Sequence, residues 1–448
     1  MAELDTVVRG GTIITPSGRR RASIGIADGR IATIGDRLDG TEVIDADGLF
    51  VMPGGVDTHV HLMDPGAPDR EDFPTGTAAA AASGVTTIVE HSHGRPVRTT
   101  ADLTEKRAYL TDRANVDYGL AAHAWPGRHA DVAELWAAGV TFFKVFTCTT
   151  HGVPGHDAAA LMAHLNATAE VDAVSLLHCE DESLTAAAET VLRAEGRDDG
   201  GILRDWRSRD AEVVAAAVAS ILVRRAGARA SVAHVSHPEV ASYLAAERER
   251  GGRVAAEACP QYFLLREADA LDLGPFRKFT PPARARSDAD EEDMWRLLRT
   301  GVLTHMSTDH APSTPDQKRD GDIWEVHFGL PGLDSTMAIL LDAAARGSLS
   351  YEDVTRVYSE APAKLYGLGP HKGRIAVGAD ADLVLVDPEA RRTLSNDTVI
   401  SKAGWTPFDG REVRGVVERT LLRGQTVAEH GRPRDERTGR FVAGAGAR

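Results

Sequence analysis

Two closely spaced histidine pairs are the first residues whose types could do chemistry. His59 and His61 stand in VDTHVHL, and His91 and His93 stand in VEHSHG. Each pair ends an apolar run typical of a β-strand, and alternate residues of a strand point to the same side. Either pair could therefore present two imidazole rings to one metal ion. With 17 histidines in 448 residues, chance alone accounts for less than one such pair, so two pairs carry more weight than one.

Other potential metal ligands stand near the ends of apolar runs further along the chain. They are Lys144 in TFFKVF, His178 in SLLHCE, His234 in VAHVSH and Asp309 in STDHAP. A single polar residue at the end of a strand is most often structural. If these strands form one parallel barrel, however, their carboxyl ends converge on one rim, where barrel enzymes place their active sites. Together with the first histidine pair, the four residues predict one metal-dependent site.

The elements that must position these residues are strands alternating with long, alanine-rich, helix-periodic stretches. That alternation predicts βα units and a parallel sheet. Eight apolar runs are strand candidates, namely Leu49–His61, Gly84–His91, Val116–His123, Val140–Thr147, Ala173–Cys179, Ala230–Ser236, Arg253–Cys259 and Val302–Asp309. Eight strands match a (β/α)₈ barrel, although periodicity alone leaves a doubly wound sheet open.

The two ends of the chain share a different texture, with short apolar runs separated by glycine turns. We therefore predict one small β-domain built from residues 1–50 and 371–430, flanking a barrel of residues 51–370. The last stretch, 431–448, contains much charge, glycine and alanine, and is expected to be a loose tail.

The composition excludes several classes of function. A net charge of −15 and a pI near 5.6 oppose binding to nucleic acid or to anionic membranes. There is no apolar run long enough to span a bilayer and no signal-peptide core at the start. Three cysteines cannot form a disulfide framework. We therefore expect a cytoplasmic protein with no nucleic-acid or membrane partner.

A series of motifs in the same order resembles the cyclic amidohydrolases of the amidohydrolase superfamily, which include allantoinases, hydantoinases or dihydropyrimidinases, and dihydroorotases. The motifs are GGVDTHVHLMDPG, TFFKVFT, LLHCED, AHVSHPEV, EACPQYFLL, FTPPARARSD, STDHAP, PAKLYGL and KGRIAVGADADLVLVDP. The resemblance implies a (β/α)₈ barrel with a composite β-sandwich from both termini, in agreement with the strand pattern. It also implies a homo-oligomer, often a tetramer.

By the same resemblance, the site would hold two divalent metal ions, usually zinc. His59, His61 and Asp309 would hold the first ion, and His178 and His234 the second. Lys144 would join them as a carbamate formed with CO₂, because a lysine whose pKa is lowered by burial can react as the neutral amine.

The resemblance implies the chemistry as well. The two metals would acidify a shared water to hydroxide, which attacks the amide carbon of a small cyclic amide. Asp309 would take the proton and return it to the departing ring nitrogen. His310 would hold either the carboxylate or a metal-bound water, or would serve only as a structural residue. His91 and the 193–210 stretch remain without an assigned role.

Four residues bear on which ring is opened. In dihydroorotases an arginine and an asparagine bind the substrate carboxylate at the positions of Met63 and His93, which disfavours dihydroorotate here. Thr149 stands where hydantoinases carry a ring-contacting tyrosine, and Thr280 replaces a serine of the TPPAR motif. We expect a neutral or weakly polar cyclic ureide or imide, resembling allantoin or hydantoin. Dihydropyrimidinase, D-hydantoinase or dihydroorotase activity, an acyclic or phosphoester substrate, and a non-catalytic scaffold are the alternatives.

Overall fold

The computed structural model describes residues 4–447, so the first three residues of the predicted terminal β-domain lie outside the described part. Seven short strands come before the barrel, numbered β1 to β7 along the chain. They are Thr6–Arg9, Thr12–Thr15, Gly18–Arg21, Ser23–Ala27, Arg30–Gly35, Glu42–Asp45 and Phe50–Pro53.

Four more strands come after the barrel. They are β17 (Leu383–Thr393), β18 (Glu412–Leu422), β19 (Gln425–Glu429) and β20 (Arg432–Pro433). These strands extend β7, β2 and β3 into a seven-stranded sheet, because Leu383–Val386 pair antiparallel with Phe50–Pro53. A second sheet has the order β5-β4-β1-β6. Buried side chains such as Ile13, Ile24 and Leu385 form a separate apolar core in this part of the molecule.

The strands between them carry the site. They are β8 (Gly55–Val60), β9 (Val85–Glu90), β10 (Asp117–Leu120), β11 (Ala122–His123), β12 (Phe143–Phe146), β13 (Val174–His178), β14 (Arg229–Val232), β15 (Arg253–Ala258) and β16 (His305–Met306). All their ladders are parallel. Because β10 and β11 are two halves of one strand interrupted at Ala121, these nine segments make eight barrel strands.

The first and last barrel strands meet just beyond their carboxyl ends. The His61 N–H donates to the His310 carbonyl oxygen at 2.8 Å, and Val60 and His310 form a parallel bridge. Within the barrel, Thr58 and Ser307 share a hydrogen bond of 3.0 Å. These contacts bring the segment that carries Asp309 against the strand that carries His59, as the predicted (β/α)₈ barrel requires.

The helices surround the barrel and connect its strands. They are α1 (Phe73–Ser83), α2 (Thr100–Tyr109), α3 (Val132–Ala138), α4 (Ala158–Glu170), α5 (Glu182–Ala194), α6 (Ile202–Trp206), α7 (Arg209–Ala226), α8 (Pro238–Glu249), α9 (Gln261–Leu264), α10 (Asp269–Leu273), α11 (Asp288–Arg299), α12 (Pro315–Arg319), α13 (Thr336–Arg346), α14 (Tyr351–Thr355) and α15 (Ala361–Leu365). A π-helical turn, Arg356–Glu360, joins α14 to α15.

Local sequence explains where the longer helices begin and end. Asp72 caps α1 by accepting the Thr75 N–H, and Ser208 caps α7 by accepting the Ala211 N–H. Gly84 and Gly227 end the same helices in the left-handed conformation that glycine adopts without steric cost.

Three strand candidates differ from the observed strands. The run Leu49–His61 divides between β7, in the terminal sheet, and β8, in the barrel. The third candidate is interrupted at Ala121. The eighth, Val302–Asp309, is reduced to His305–Met306, since the chain bends after it and Asp309 has a positive φ of 50°. In each case the limits of a strand depend on the neighbouring strand with which it pairs. A hydrophobic run in the sequence does not specify that neighbour.

The expectation of a loose tail at 431–448 is wrong for its described residues. Gly439 N–H donates to the Ala114 carbonyl oxygen, Val442 N–H to that of Tyr118, and Gly444 N–H to that of Gly139. The segment thus lies across the amino-terminal ends of barrel strands. Because it has few apolar side chains, it is held there mainly by hydrogen bonds to backbone groups of the barrel. Among residues 4–447, no helix combines the length and apolar character needed to cross a membrane.

Candidate active site

The six predicted metal ligands come together at the carboxyl ends of the barrel strands. His59 and Lys144 lie within β8 and β12, His178 ends β13, and the others follow β8, β14 and β16 in the chain. All six line one pocket, namely His59, His61, Lys144, His178, His234 and Asp309. The convergence of residues 250 positions apart is the consequence of the closed parallel topology.

The donor atoms of this cluster face one another at short distances. Asp309 Oδ1 lies 3.1 Å from His59 Nε2 and 3.4 Å from His61 Nε2. Lys144 Nζ lies 3.2 Å from the same His59 nitrogen. Ligand atoms of His59, His234 and Asp309 all fall within 4.8 Å of one another.

The second part of the cluster is a histidine pair. His178 Nδ1 lies 2.9 Å from His234 Nε2, and the two ring centroids are 4.7 Å apart. The other nitrogen of His234, Nδ1, is buried without a hydrogen-bond partner among the described residues. His178 Nε2, by contrast, is 2.8 Å from Glu180 Oε2, so only its Nδ1 is directed at the cluster.

Four pocket residues have a positive φ, which residues other than glycine disfavour. Met63, His151, His234 and Asp309 have φ values of 58°, 52°, 38° and 50°. Left-handed backbone at non-glycine residues costs about 1–3 kcal/mol each and persists only where the surrounding structure holds it. Met63, His234 and Asp309 stand just after barrel strands, where this conformation turns the chain.

Two buried carboxylates that the sequence analysis missed orient the ligands. Glu257 Oε1 lies 2.6 Å from His59 Nδ1, and Glu180 contacts His178. Glu180 also accepts hydrogen bonds from Thr280 at 2.6 Å and from Arg207 at 3.2 Å. Glu257 stands in the motif EACPQ and Glu180 in the motif LLHCED. Both motifs were recognised in the sequence, but the sequence did not show which histidine each carboxylate contacts.

Burial sets the protonation of the cluster. Desolvation lowers the pKa of Lys144 to about 8 and the pKa of His61 to about 4, and it lowers the pKa of His234 well below its usual value. The neighbouring histidines hold the pKa of the Asp309 carboxyl well below its usual range, against the effect of burial. At neutral pH His61 and His234 are therefore neutral imidazoles and Asp309 is an ionised carboxylate, which are the forms that bind metals. The pKa of His59 is instead raised, because the Glu257 and Asp309 carboxylates outweigh burial and the charge of Lys144.

Comparison with known proteins identifies the family. Residues 50–427 match the model of the amidohydrolase family. The chain belongs to the amidohydrolase family. It is 36% identical to an allantoinase of Rubrobacter xylanophilus over 99% of this chain and 98% of that protein, and 37% identical to a dihydroorotase of Halobacterium salinarum over 89% and 91%.

Solved structures agree with this assignment. The amidohydrolase superposes on the L-hydantoinase (dihydropyrimidinase) from Arthrobacter aurescens with a TM-score of 0.94 and 30% identity, covering 98% of this chain and 100% of that one. A D-hydantoinase superposes with a TM-score of 0.91 at 29% identity, covering 98% of each chain. The predicted family, the barrel with its composite β-sandwich, and the enzyme class are thereby confirmed.

The donor set of the amidohydrolase fits divalent metal ions, which its family uses. Four imidazoles, one carboxylate and one lysine face a common centre, and three buried cysteines have thiols outside the pocket lining. Nitrogen and oxygen donors of this kind suit zinc, manganese or iron. His234 Nδ1 is buried without a hydrogen-bond partner among the described residues. The rings of His178 and His234 also lie directly against each other, an arrangement that a shared metal ion explains.

Three of the four predicted substrate contacts lie in the pocket. Met63, His93 and Thr280 line it, and the His93 ring stacks on that of His151 with centroids 4.4 Å apart. Thr149 does not line it. Its side chain is exposed and its Oγ1 accepts the Gly155 N–H, because the chain turns outward after β12 and returns at His151.

Two further histidines lie close to the pocket and contact the elements around it. His310 is directed away from the pocket, because its Nδ1 accepts the backbone N–H groups of Gly332 and Leu333 at 3.1 and 3.3 Å. His91 is buried beside the cluster, and its carbonyl oxygen is 3.1 Å from His61 Nδ1. His310 therefore has a structural role, and the His91 backbone orients a ligand.

Several pocket residues were missed by the sequence analysis. They are Arg70, Phe146, His151, Ala311, Phe328 and Gly329. Arg70 lies in the loop between β8 and α1, and Phe328 and Gly329 lie between α12 and α13. No periodic pattern marks these three loop residues, so the sequence carried no signal for them. Phe146 and Ala311, by contrast, stand within the motifs TFFKVF and STDHAP.

Proposed function

We propose that this amidohydrolase opens the amide C–N bond of a cyclic ureide or imide with an allantoin- or hydantoin-like ring. The observation that carries this function is the six-residue donor cluster at the barrel rim, in a chain similar over nearly its whole length to an allantoinase and hydantoinases. The similar proteins are named for three different rings, as an allantoinase, a dihydroorotase and hydantoinases. They support the class of reaction, and experiment must decide which ring is opened.

We propose that two Zn²⁺ ions bind in this cluster. His59, His61 and Asp309 would hold one ion, and His178 and His234 the other. Lys144, as a carbamate, would bridge them. The lowered pKa of Lys144 supports this role, because a buried lysine that loses its proton near pH 8 exposes an amine able to react with CO₂.

Bound metals of this kind acidify a water molecule and polarise a carbonyl group. Asp309 is the group placed to handle the proton. Its carboxylate is ionised at neutral pH and faces the same centre as the imidazoles. It would accept a proton on a carboxylate oxygen and donate it to the ring nitrogen as the C–N bond breaks, so that the nitrogen does not leave as an anion.

Other pocket residues would contact the ring. His93 and Thr280 offer a hydrogen-bonding nitrogen and hydroxyl, and the Met63 side chain offers apolar surface. Because the Thr280 hydroxyl donates to Glu180, its lone pairs remain able to accept an N–H group of a ureide.

The alternative activities are those named for similar proteins, namely dihydropyrimidinase or D-hydantoinase and dihydroorotase. A non-catalytic scaffold is disfavoured, because all six ligand positions are occupied by donor side chains that meet in one pocket.

The decisive experiment combines metal analysis with a substrate screen. Purified protein should contain close to two divalent ions per chain and open at least one ring among allantoin, hydantoin, dihydrouracil, succinimide and dihydroorotate. Lys144→Ala should lose both metal and activity, whereas Lys364→Ala, at an exposed position, should keep both. Full activity of metal-free protein would contradict the proposal.

We also propose a cytoplasmic homotetramer, which rests on the resemblance to the cyclic amidohydrolases. Two features support it. The three cysteines are free and buried, and α7 carries an outward stripe of Val214, Val218 and Ile221, each about two-fifths exposed. Such a stripe fits a subunit interface. Light scattering of the purified protein measures the assembly, and Val218→Asp should reduce it.

A further inference from the structure

Arg70 provides the pocket with a permanently charged group that the proposed reaction does not use. It stands in the loop GAPDREDF between β8 and α1, and its side chain lines the same pocket as the metal ligands. Of the described residues that line this pocket, Asp309 is the only acidic one. Because Asp309 faces His59 and His61, it already has partners.

The Arg70 guanidinium is held by one nitrogen only. Its Nε donates to the Pro312 carbonyl oxygen at 3.0 Å and lies 3.2 Å from Ser313 Oγ. Both acceptors belong to the segment just after Asp309, so the guanidinium is anchored beside the catalytic strand end. No hydrogen bond of the two terminal nitrogens and no ion pair of Arg70 is found within the described part of the chain.

Asp69 does not neutralise this cation. It is exposed, and its carboxylate accepts a hydrogen bond from Gln317 Nε2 at 2.7 Å. Its charge raises the pKa of Arg70, but burial outweighs that effect and lowers the pKa to about 10. Arg70 is therefore still protonated at neutral pH.

Two buried lysines lie behind the pocket on the side of Phe328, and burial lowers the pKa of Lys278 to about 8 and that of Lys318 well below its usual value. Lys318 Nζ donates to the His327 carbonyl oxygen at 2.7 Å, and Lys278 Nζ donates to that of Trp324 at 3.0 Å. Neither has a carboxylate within ion-pair distance among residues 4–447. The Lys278 ammonium also lies 4.5 Å from the ring centre of Phe328, which lines the pocket.

The groups facing the pocket from the opposite side do not supply a counter-ion either. His93 and His151 stack on each other, and an imidazole ring is either neutral or positively charged, so neither residue can neutralise Arg70. Arg70 is half-buried at the pocket, and its terminal nitrogens have no acceptor among the described residues, so an incoming anion would supply the partner that they lack.

We infer that Arg70 is a specificity-determining residue that binds a carboxylate on the substrate, so that the preferred ring carries an acidic substituent. The inference rests on the proposed function and refines it, departing from the neutral or weakly polar ring expected from Met63. A carboxylate fits because the two terminal nitrogens form a fork that can bind both of its oxygens at once.

The test compares two hydantoins that differ only in charge. One carries a 5-carboxymethyl group, and the other carries the neutral 5-carbamoylmethyl group of the same shape. Adding water across the N3–C4 bond opens them to N-carbamoylaspartate and N-carbamoylasparagine, with the proton passing to N3. For the metal-loaded enzyme we expect kcat/KM to be at least about 10-fold higher for the acid, the size of effect typical of a charge-assisted hydrogen bond.

Arg70→Met should lower kcat/KM for the acid by about 10–100-fold and leave the amide within about twofold. Arg70→Lys should retain part of the preference, and Arg128→Met, at an exposed position, should retain all of it. Melting temperature and metal content show that each variant is folded and loaded. Calorimetry with N-carbamoylaspartate and N-carbamoylasparagine provides a readout independent of turnover, and Arg70→Met should weaken binding of the aspartate compound alone.

The outcomes separate this inference from the proposed function. If the wild-type enzyme opens both hydantoins equally well, or Arg70→Met slows both equally, the role of Arg70 is refuted and ring opening stands. If the metal-loaded enzyme opens neither these rings nor the others screened, the proposed function itself fails.

Discussion

At the scale of single residues, the site depends on side chains that orient the proposed metal ligands. Glu257 is the clearest case, since it is fully buried and its carboxylate lies 2.6 Å from His59 Nδ1. This contact leaves His59 Nε2 directed at Asp309 and Lys144. A carboxylate on the outer nitrogen of a ligand histidine fixes the ring and increases its basicity.

Replacing this carboxylate should weaken the metal site. We expect Glu257→Gln to lower metal affinity by about 10–100-fold, because the neutral amide cannot hold the imidazole as strongly. Competition with a chelator measures the change. Glu249→Gln, on the exposed end of α8, is the matched control. Equal affinities of the two variants would show that Glu257 does not orient His59.

A second buried carboxylate predicts how stability depends on pH. Burial raises the pKa of Glu212 to about 7, although Arg284 and the Ser236 hydroxyl oppose the shift. The folded protein therefore holds this proton more tightly than the unfolded chain, whose carboxyl has a pKa near 4.5. The stability that the protonated group contributes is complete below pH 4.5 and is lost as pH rises through about 7.

The melting temperature of wild type relative to Glu212→Gln should consequently fall between pH 4.5 and 7 and level off above. The full change corresponds to about 3 kcal/mol. Glu239→Gln, at an exposed position, should track wild type throughout this range. A constant difference between wild type and Glu212→Gln would mean that Glu212 titrates normally.

At the scale of elements, the position of β8 depends on a close approach to β9. Gly54 immediately precedes β8, and a Cβ atom there would stand 2.1 Å from Thr86 Oγ1 and 2.8 Å from Thr86 Cβ. The Gly54 N–H also donates to the Asp382 carbonyl oxygen at 2.9 Å, which ties the first barrel strand to the terminal domain. This glycine therefore allows the contact that positions His59 and His61.

Gly54→Ala should destabilise the protein by about 1–3 kcal/mol, because Thr86 must move in a packed region. The measurement is the melting temperature, with metal content as a second readout. Gly35→Ala is the matched control, since the nearest atom to a Cβ there is Leu38 Cδ2 at an ordinary 3.7 Å. If Gly54→Ala and Gly35→Ala have the same melting temperature, the close approach of Gly54 to Thr86 does not limit the position of β8.

At the scale of the whole molecule, the carboxyl-terminal segment connects parts of the barrel on the side opposite the site. Tyr118 N–H donates to the Arg440 carbonyl oxygen, and Asp117 accepts the Arg440 N–H at 2.8 Å. Asp117 also forms ion pairs with Lys372 and Arg423, of which Lys372 is buried. The segment thus joins the barrel to the region that leads into the terminal sheet.

Deleting residues 435–448 should lower the melting temperature by several degrees, because these backbone and ionic contacts lose their partners. Metal content at low temperature should be unchanged, because the site lies at the other end of the strands. Arg437→Ala, at an exposed position in the same segment, is the control. An unaltered melting temperature after the deletion would show that the segment adds no stability, as expected of the loose tail predicted from the sequence.

The sequence by itself predicted the architecture and the six residues that meet in the pocket. Hydrophobic periodicity depends on neighbouring residues, so eight strand candidates and the helices between them could be recognised locally, and the site residues at strand ends followed from the barrel. The assignment of His59, His61 and Asp309 to one ion required the resemblance to a known family. The matching texture of both ends also indicated that they combine.

Only the tertiary structure decided which other groups reach the pocket. Glu257 and Glu180 contact ligands from different strands, and Arg70 reaches the site from a loop. Thr149 turns outward, although it lies only five residues after Lys144. The direction of a loop side chain and the partner of a buried charge depend on contacts between residues far apart in the chain, and no local pattern records them.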